Sequence, residues 1–219
     1  MTLQSDAIIN SFHSFLSQVD FPCVAAKDAS AKGNIKIMIA AHMACPVDDK
    51  AILAFIYDFV NSYRQHRKGF QSLAVIFEEP LCSNEGMFEA LMWQRLQALR
   101  NLDSKHFDYD KRVSPEPSSA AFSYSLMEEA FFVLALHPFS SRPARQYQYP
   151  ALIFNPHEQF VQMKAGGTYD KMKTIVRRRD MNYSGSINPM LNDFGTTSEA
   201  LQYSGTVYND TWQCPLKNL

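Results

Sequence analysis

The spacing of apolar residues along the chain predicts several helices and several short strands. Apolar residues recur at helical spacing in four segments: Gln4 to Val19, Asp48 to Arg64, Glu85 to Leu102 and Thr168 to Met181. Alternating or continuous apolar runs predict strands near Ile37, Val75, Tyr124, Val133 and Ile153. The segment from Phe21 to Lys27 is short and contains a proline, and it predicts a further extended element near Val24.

These elements predict one domain, residues 1–219, of the α+β class. We expect a mixed, mostly antiparallel sheet covered by three to four helices. Residues Ser104 to Ala121 are polar and rich in proline and serine, which is typical of a surface loop. After Met181 regular spacing is lost while aromatic and apolar residues persist, so we expect a long irregular C-terminal segment that wraps over the domain.

The stretch from Phe131 to Phe160 contains the most suggestive chemistry. The apolar run Phe131 to Leu136 ends at His137, and the run Ala151 to Phe154 is followed closely by His157. Arg142 and Arg145 lie in the loop between the two runs. Imidazoles near fixed cations are a way to hold a metal or an anionic metallocofactor. The alternative is that the histidines are structural and that the arginines pair with carboxylates.

Composition and charge narrow the class of protein. The 219 residues carry a net charge of −1, which gives no reason to expect nucleic acid as a partner. Four cysteines are scattered without a CxxC pair, which argues against a structural zinc site and a disulfide-dense secreted domain. No leader pattern opens the chain and no stretch approaches the length of a membrane span, so we expect a cytoplasmic protein.

The chain resembles the YqcI/YcgG family, and within it the subgroup similar to the haem-dependent N-hydroxylase of guanitoxin biosynthesis. The matching segments follow one another in the family's order over nearly the whole chain. They are Phe21-Pro22-Cys23, Gln71 to Phe77, Trp93 with Leu96, Ala130 to Phe132, Leu136 to Pro138, Ser141 to Arg145, Phe154 to Phe160, Arg179-Asp180, Gly185 to Leu191, Gln202 to Gly205 and Trp212 to Pro215. The chain departs from the subgroup at Pro156, where leucine is more usual, and at Leu201, where arginine is common.

The resemblance implies a haem b enzyme that hydroxylates a nitrogen of a guanidino compound, using O2 and an external electron donor. His137 is the favoured ligand of the haem iron, and His157 is the alternative ligand or a distal group for proton delivery. Arg142 and Arg145 are expected to bind the haem propionates, since guanidinium groups bond carboxylates strongly. The remaining expected cofactor contacts are Ser141, Trp93 and Phe154, although packing within the core is the more usual role for a tryptophan in such a helix.

A cationic guanidino substrate needs an acidic or amide-bearing partner. The expected groups at the substrate are Glu158, Asp180, Glu199, Gln202 and Tyr203. Two other functions stay open: a haem-binding sensor or carrier without turnover, and a haem-free protein that binds a small molecule. An aromatic surface around Trp212 suggests a homodimer. The other histidines (His13, His42, His66 and His106) are expected to be structural or solvated.

Overall fold

A computed structural model describes residues 3–80 and 83–217 of the chain. Its centre is a five-stranded sheet with the strand order β1-β2-β5-β4-β3. The strands are β1 (Ile35–His42), β2 (Ser72–Glu79), β3 (Tyr124–Leu126), β4 (Glu129–Leu136) and β5 (Ala151–Pro156). The pair β1–β2 is parallel, and the three other pairs are antiparallel. The predicted α+β fold with a mixed, mostly antiparallel sheet is therefore confirmed.

Seven α-helices surround this sheet within the described residues. They are α1 (Leu3–Ser17), α2 (Val24–Ala31), α3 (Asp49–Gln65), α4 (Glu85–Asp103), α5 (His157–Ala165), α6 (Tyr169–Ser184) and α7 (Ala200–Tyr203). The four helices predicted from apolar spacing correspond to α1, α3, α4 and α6. No helix in residues 3–80 or 83–217 is both long and apolar enough to cross a membrane.

The two faces of the sheet support two separate apolar cores. Alternate residues of β4 (Phe131, Val133 and Ala135) pack with α3 and α4 in the larger core. Leu134 and Leu136 belong to the smaller core, which α1 and part of α2 cover. Because strand side chains alternate between faces, the buried residues Phe131, Val133 and Ala135 point to one core and Leu134 and Leu136 point to the other.

The prediction of an extended element near Val24 is wrong, because the chain forms helix α2 there. The Cys23 thiol sits at the N-cap and accepts a hydrogen bond from the backbone N–H of Ala26 at 3.4 Å. The helix that follows has four alanines among its eight residues, and alanine has the highest helix propensity. This local preference outweighs the extended character of Phe21-Pro22, so the sheet has no strand near Val24.

Candidate functional site

A cavity opens between the smaller-core face of the sheet and helices α1, α2, α5 and α6. Its volume is about 310 Å³, at the lower end of the range of roughly 300–1,000 Å³ typical of small-molecule sites. The floor is apolar and includes Phe132, Leu134 and Ile153 from the central strands. The irregular segment from Asn188 to Gln202 closes one side, so the expected wrapping of the C-terminal segment contributes directly to the cavity wall.

Cys23 supplies the one thiol among the described residues that line this cavity. The residue is partly accessible, while the surrounding protein raises the pKa of its thiol by burial, and hydrogen bonds from the backbone of Ala26 and Ala25 lower it. The same described lining contains no imidazole. Its other soft donors are the thioethers of Met163 and Met172. Of these groups, a thiol is the strongest metal ligand once it loses its proton.

Arg142 lies at the cavity wall in a buried ion pair with Asp180. Its Nη2 donates to the carboxylate at 2.7 Å and to the backbone carbonyl of Ser186 at 3.0 Å. The other carboxylate oxygen of Asp180 accepts from the Ser184 hydroxyl at 2.9 Å. Two residues expected at the site thus neutralise each other, although they are 38 positions apart in the sequence.

Arg145 is also buried at the cavity wall, where it holds the C-terminal segment against β4. It donates to the carbonyls of Ala135 at 3.2 Å, Tyr203 at 2.8 Å and Gln202 at 2.7 Å. The pKa of Arg145 is lowered to about 10, mainly by burial and to a smaller extent by the charge of Arg142, and Asp180 partly opposes both effects. No carboxylate in the described residues pairs with this guanidinium, which therefore contributes an uncompensated positive charge to the wall.

Gly205 makes the close approach of this arginine possible. Its φ of +89° lies in the region that favours glycine, and a Cβ there would stand 3.3 Å from the Arg145 Cδ. The matching family motif Gln202 to Gly205 therefore has a local structural reason.

Glu199 places a carboxylate on the cavity wall while remaining only 4% exposed. Its Oε1 lies 3.2 Å from the His157 Nδ1 without the alignment of a hydrogen bond. Its Oε2 is 3.4 Å from the Tyr203 hydroxyl, whose single proton also faces the carbonyl of Phe131 at 3.2 Å. No lysine or arginine of residues 3–80 and 83–217 lies within ion-pair distance of this carboxylate.

The side-chain amide of Gln202 is a second polar group on the wall that has no protein partner. The residue is 7% exposed and lines the cavity one helical turn after Glu199. Its backbone carbonyl accepts from Arg145, but its side chain makes no hydrogen bond within the described part of the chain. Buried amides are usually hydrogen-bonded, so this amide is available to a ligand.

His137 lies on the opposite side of the sheet from the cavity. It continues the parity of Phe131, Val133 and Ala135, and its ring stacks on Phe88 of α4 with centroids 4.2 Å apart. Its pKa is lowered to about 4, mainly by burial, which Glu85 opposes and to which Arg145 adds. His157 begins α5 beside Phe194 and Glu199, and it is not among the lining residues. Neither imidazole reaches the cavity as the structure stands.

The other residues expected at the site also lie away from the cavity wall. Glu158 forms an ion pair with Arg112 at 2.9 Å, near the protein surface. Tyr203 is fully buried, and its hydroxyl accepts from the Tyr124 backbone N–H at 3.0 Å. Trp93 and Phe154 are buried in the larger core, and Ser141 is exposed with its backbone N–H bonded to Glu85. Only Arg142, Arg145, Asp180, Glu199 and Gln202 among the expected residues meet at the cavity.

The sequence profile of the YqcI/YcgG family matches residues 12–217, which include every element except the first turns of α1. The chain belongs to this family. No curated protein and no solved structure gives a significant match. The family therefore defines the class of protein.

Proposed function

We propose that the protein is a haem-dependent monooxygenase that hydroxylates a nitrogen of a guanidino compound, using O2 and electrons from an external donor. The observation that carries the proposal is the cavity itself. It offers a haem an apolar floor, one thiol and two buried arginines. It offers a cationic substrate a carboxylate that has few hydrogen bonds. The family resemblance supplies the specific chemistry.

Haem is flat and largely apolar, and it needs few protein ligands. The floor of Phe132, Leu134 and Ile153 suits such a ring. Cys23 is the proposed ligand of the iron, in place of His137, because it lines the cavity whereas His137 stacks on Phe88 behind the sheet. Burial raises the pKa of the free thiol and so favours its protonated form, but a thiol that bound the iron would release its proton to water and act as a thiolate. A haem with a cysteine thiolate ligand favours cleavage of the O–O bond, which is the chemistry that oxygen insertion requires.

The chain's own residues bind, orient and exclude water. Arg145 faces the cavity without a carboxylate partner, so a haem propionate would complete its charge balance. Arg142 is already balanced by Asp180, and it offers a propionate only the part of its guanidinium that this ion pair leaves free. The apolar walls keep the reacting centre dry, which strengthens the electrostatic interactions inside it.

One specific observation favours the alternative of a haem-free binding protein. Both arginines already have protein partners: Arg142 forms an ion pair with Asp180, and Arg145 donates hydrogen bonds to three backbone carbonyls. A small amphipathic molecule could then occupy the cavity without haem.

Expression with a haem precursor followed by absorption spectroscopy separates the candidates. The proposal predicts a Soret band in the purified protein, together with hydroxylation of an arginine analogue when a reductant and O2 are supplied. A protein that binds haem but does not turn over would be a sensor or carrier. A protein that takes up no haem, with the fold intact by circular dichroism, would contradict the proposal.

A further inference from the structure

We infer that Glu199 and Gln202 form the subsite that receives the cationic group of the ligand, and that Glu199 makes the cavity selective for a guanidinium over a neutral isostere. The inference rests on the proposed function for the substrate class. It deepens that function by assigning selectivity to one of the acids on the cavity wall.

The assignment follows from the charges of the acids that line the cavity. Asp180 is paired with Arg142 at 2.7 Å. Asp193 accepts from Lys173 at 3.1 Å and from Arg177 at 3.0 Å, and it is exposed to solvent. Among the acids of the described lining, Glu199 alone has no lysine or arginine partner. A cationic ligand is therefore attracted to this one position.

The bonding of Glu199 points to a missing partner. A carboxylate that is 4% exposed requires hydrogen bonds or a counter-ion to offset the loss of water. Its described contacts are the Tyr203 hydroxyl at 3.4 Å, whose proton is shared with another acceptor, and a poorly aligned His157 at 3.2 Å. These contacts leave most of the acceptor capacity of the carboxylate unused.

Gln202 gives independent support for a ligand at this position. Its amide is buried at the wall, has no hydrogen-bond partner in the described residues, and lies one helical turn from Glu199. A guanidinium presents a planar set of N–H donors that a carboxylate accepts two at a time. The carbonyl oxygen of the amide would accept a further N–H from the same plane. A ligand that carries a guanidinium thus satisfies both unpartnered groups at once.

The test is calorimetric titration with propylguanidinium and its neutral isostere propylurea, against both the haem-loaded protein and the protein prepared without haem. The parent should bind propylguanidinium at least about 10-fold more tightly than propylurea, because a charged hydrogen bond is stronger than a neutral one. The variant Glu199→Gln should bind propylguanidinium about 10- to 100-fold more weakly than the parent and should bind propylurea with unchanged affinity. The variant Glu199→Asp, which keeps the charge, should restore part of the preference.

The matched control is Glu158→Gln, which removes a nearby acid that lies outside the cavity and should leave both affinities unchanged. Gln202→Leu should weaken both probes, because it removes a hydrogen bond that does not depend on ligand charge. Equal affinity of the parent for both probes, binding of neither probe, or unchanged binding by Glu199→Gln would each overturn the inference. Absence of haem uptake would instead overturn the proposed function, since the titration without haem reports on Glu199 alone.

Discussion

His137 makes the stability of the protein depend on pH in a way that can be calculated. Its side chain is 1% exposed, it stacks on Phe88, and none of its described contacts is a side-chain hydrogen bond. Burial lowers its pKa from an ordinary 6.5 to about 4. The unfolded chain therefore binds a proton at a higher pH than the folded protein does. The stability that this histidine contributes is complete above pH 6.5 and is lost as the pH falls towards 4.

The size of the effect follows from the same two pKa values. Between pH 8 and pH 5 the unfolded histidine becomes almost fully protonated, while the folded one stays almost fully neutral. The free energy of unfolding should fall by about 2 kcal/mol over this interval on account of His137 alone, and by about 3 kcal/mol if the pH is taken below 4. Other titrating groups also contribute, so the effect has to be measured as a difference between two proteins.

The substitution His137→Phe isolates this contribution, because it keeps an aromatic ring against Phe88 and removes the titration. Urea unfolding followed by tryptophan fluorescence at pH 8 and pH 5 gives the free energy of unfolding for each protein. The parent should lose about 2 kcal/mol more than the variant over this interval. Equal losses in the two proteins would refute the argument, since His137 would then titrate with the same pKa in the folded and unfolded chains.

Three further substitutions test the charges and hydrogen bonds around the cavity. Arg142→Met should destabilise the fold by about 3–5 kcal/mol in urea unfolding, because it leaves Asp180 buried without its cation. Asp180→Asn should retain more haem affinity in a titration than Arg142→Met, and the reverse order would show that the arginine does not contact the propionates. Tyr203→Phe should cost about 1–3 kcal/mol, because it removes the acceptor of the Tyr124 N–H and the donor to Phe131. A weaker affinity of this variant for propylguanidinium, measured where the variant is fully folded, would contradict a purely structural role for the hydroxyl.

Regular elements were predictable because their signals are local. The continuous apolar run from Phe131 to Leu136 predicts a strand, and β4 forms there. The same run hides which face holds the cavity, because residues on both faces of a buried strand are apolar. For this reason nothing in the pattern indicated that His137 would stack on Phe88, away from the cavity.

The candidate site was less predictable because its contacts join distant parts of the chain. Arg142 pairs with Asp180, and Arg145 bonds the carbonyls of residues more than fifty positions away. No local spacing distinguishes these partners from haem propionates. Glu199 was one of three candidate acids, and only the three-dimensional pairing of the other two separates it from them.

Cys23 lines the cavity but was not among the expected site residues, because the cysteines were weighed for zinc and disulfide patterns and Cys23 otherwise entered only as part of a family segment. A signal for it was nevertheless present. The alanine-rich segment that follows it favours a helix, and a residue just before a helix often serves as its N-cap. Helix α2 then carries this thiol to the cavity wall.

The central claim, that the cavity binds haem through Cys23, is tested most directly by haem titration of three variants followed at the Soret band. Cys23→Ser should lower the affinity for haem by more than about 100-fold. Loss of a residue that only supports a metal ligand typically lowers the affinity by about 10- to 100-fold. The fold should survive, because serine is a good N-cap for α2. Cys45→Ser, which changes an exposed thiol, and His137→Phe should bind haem like the parent. Loss of haem binding in His137→Phe with full retention in Cys23→Ser would contradict the account and would identify His137 as the iron ligand.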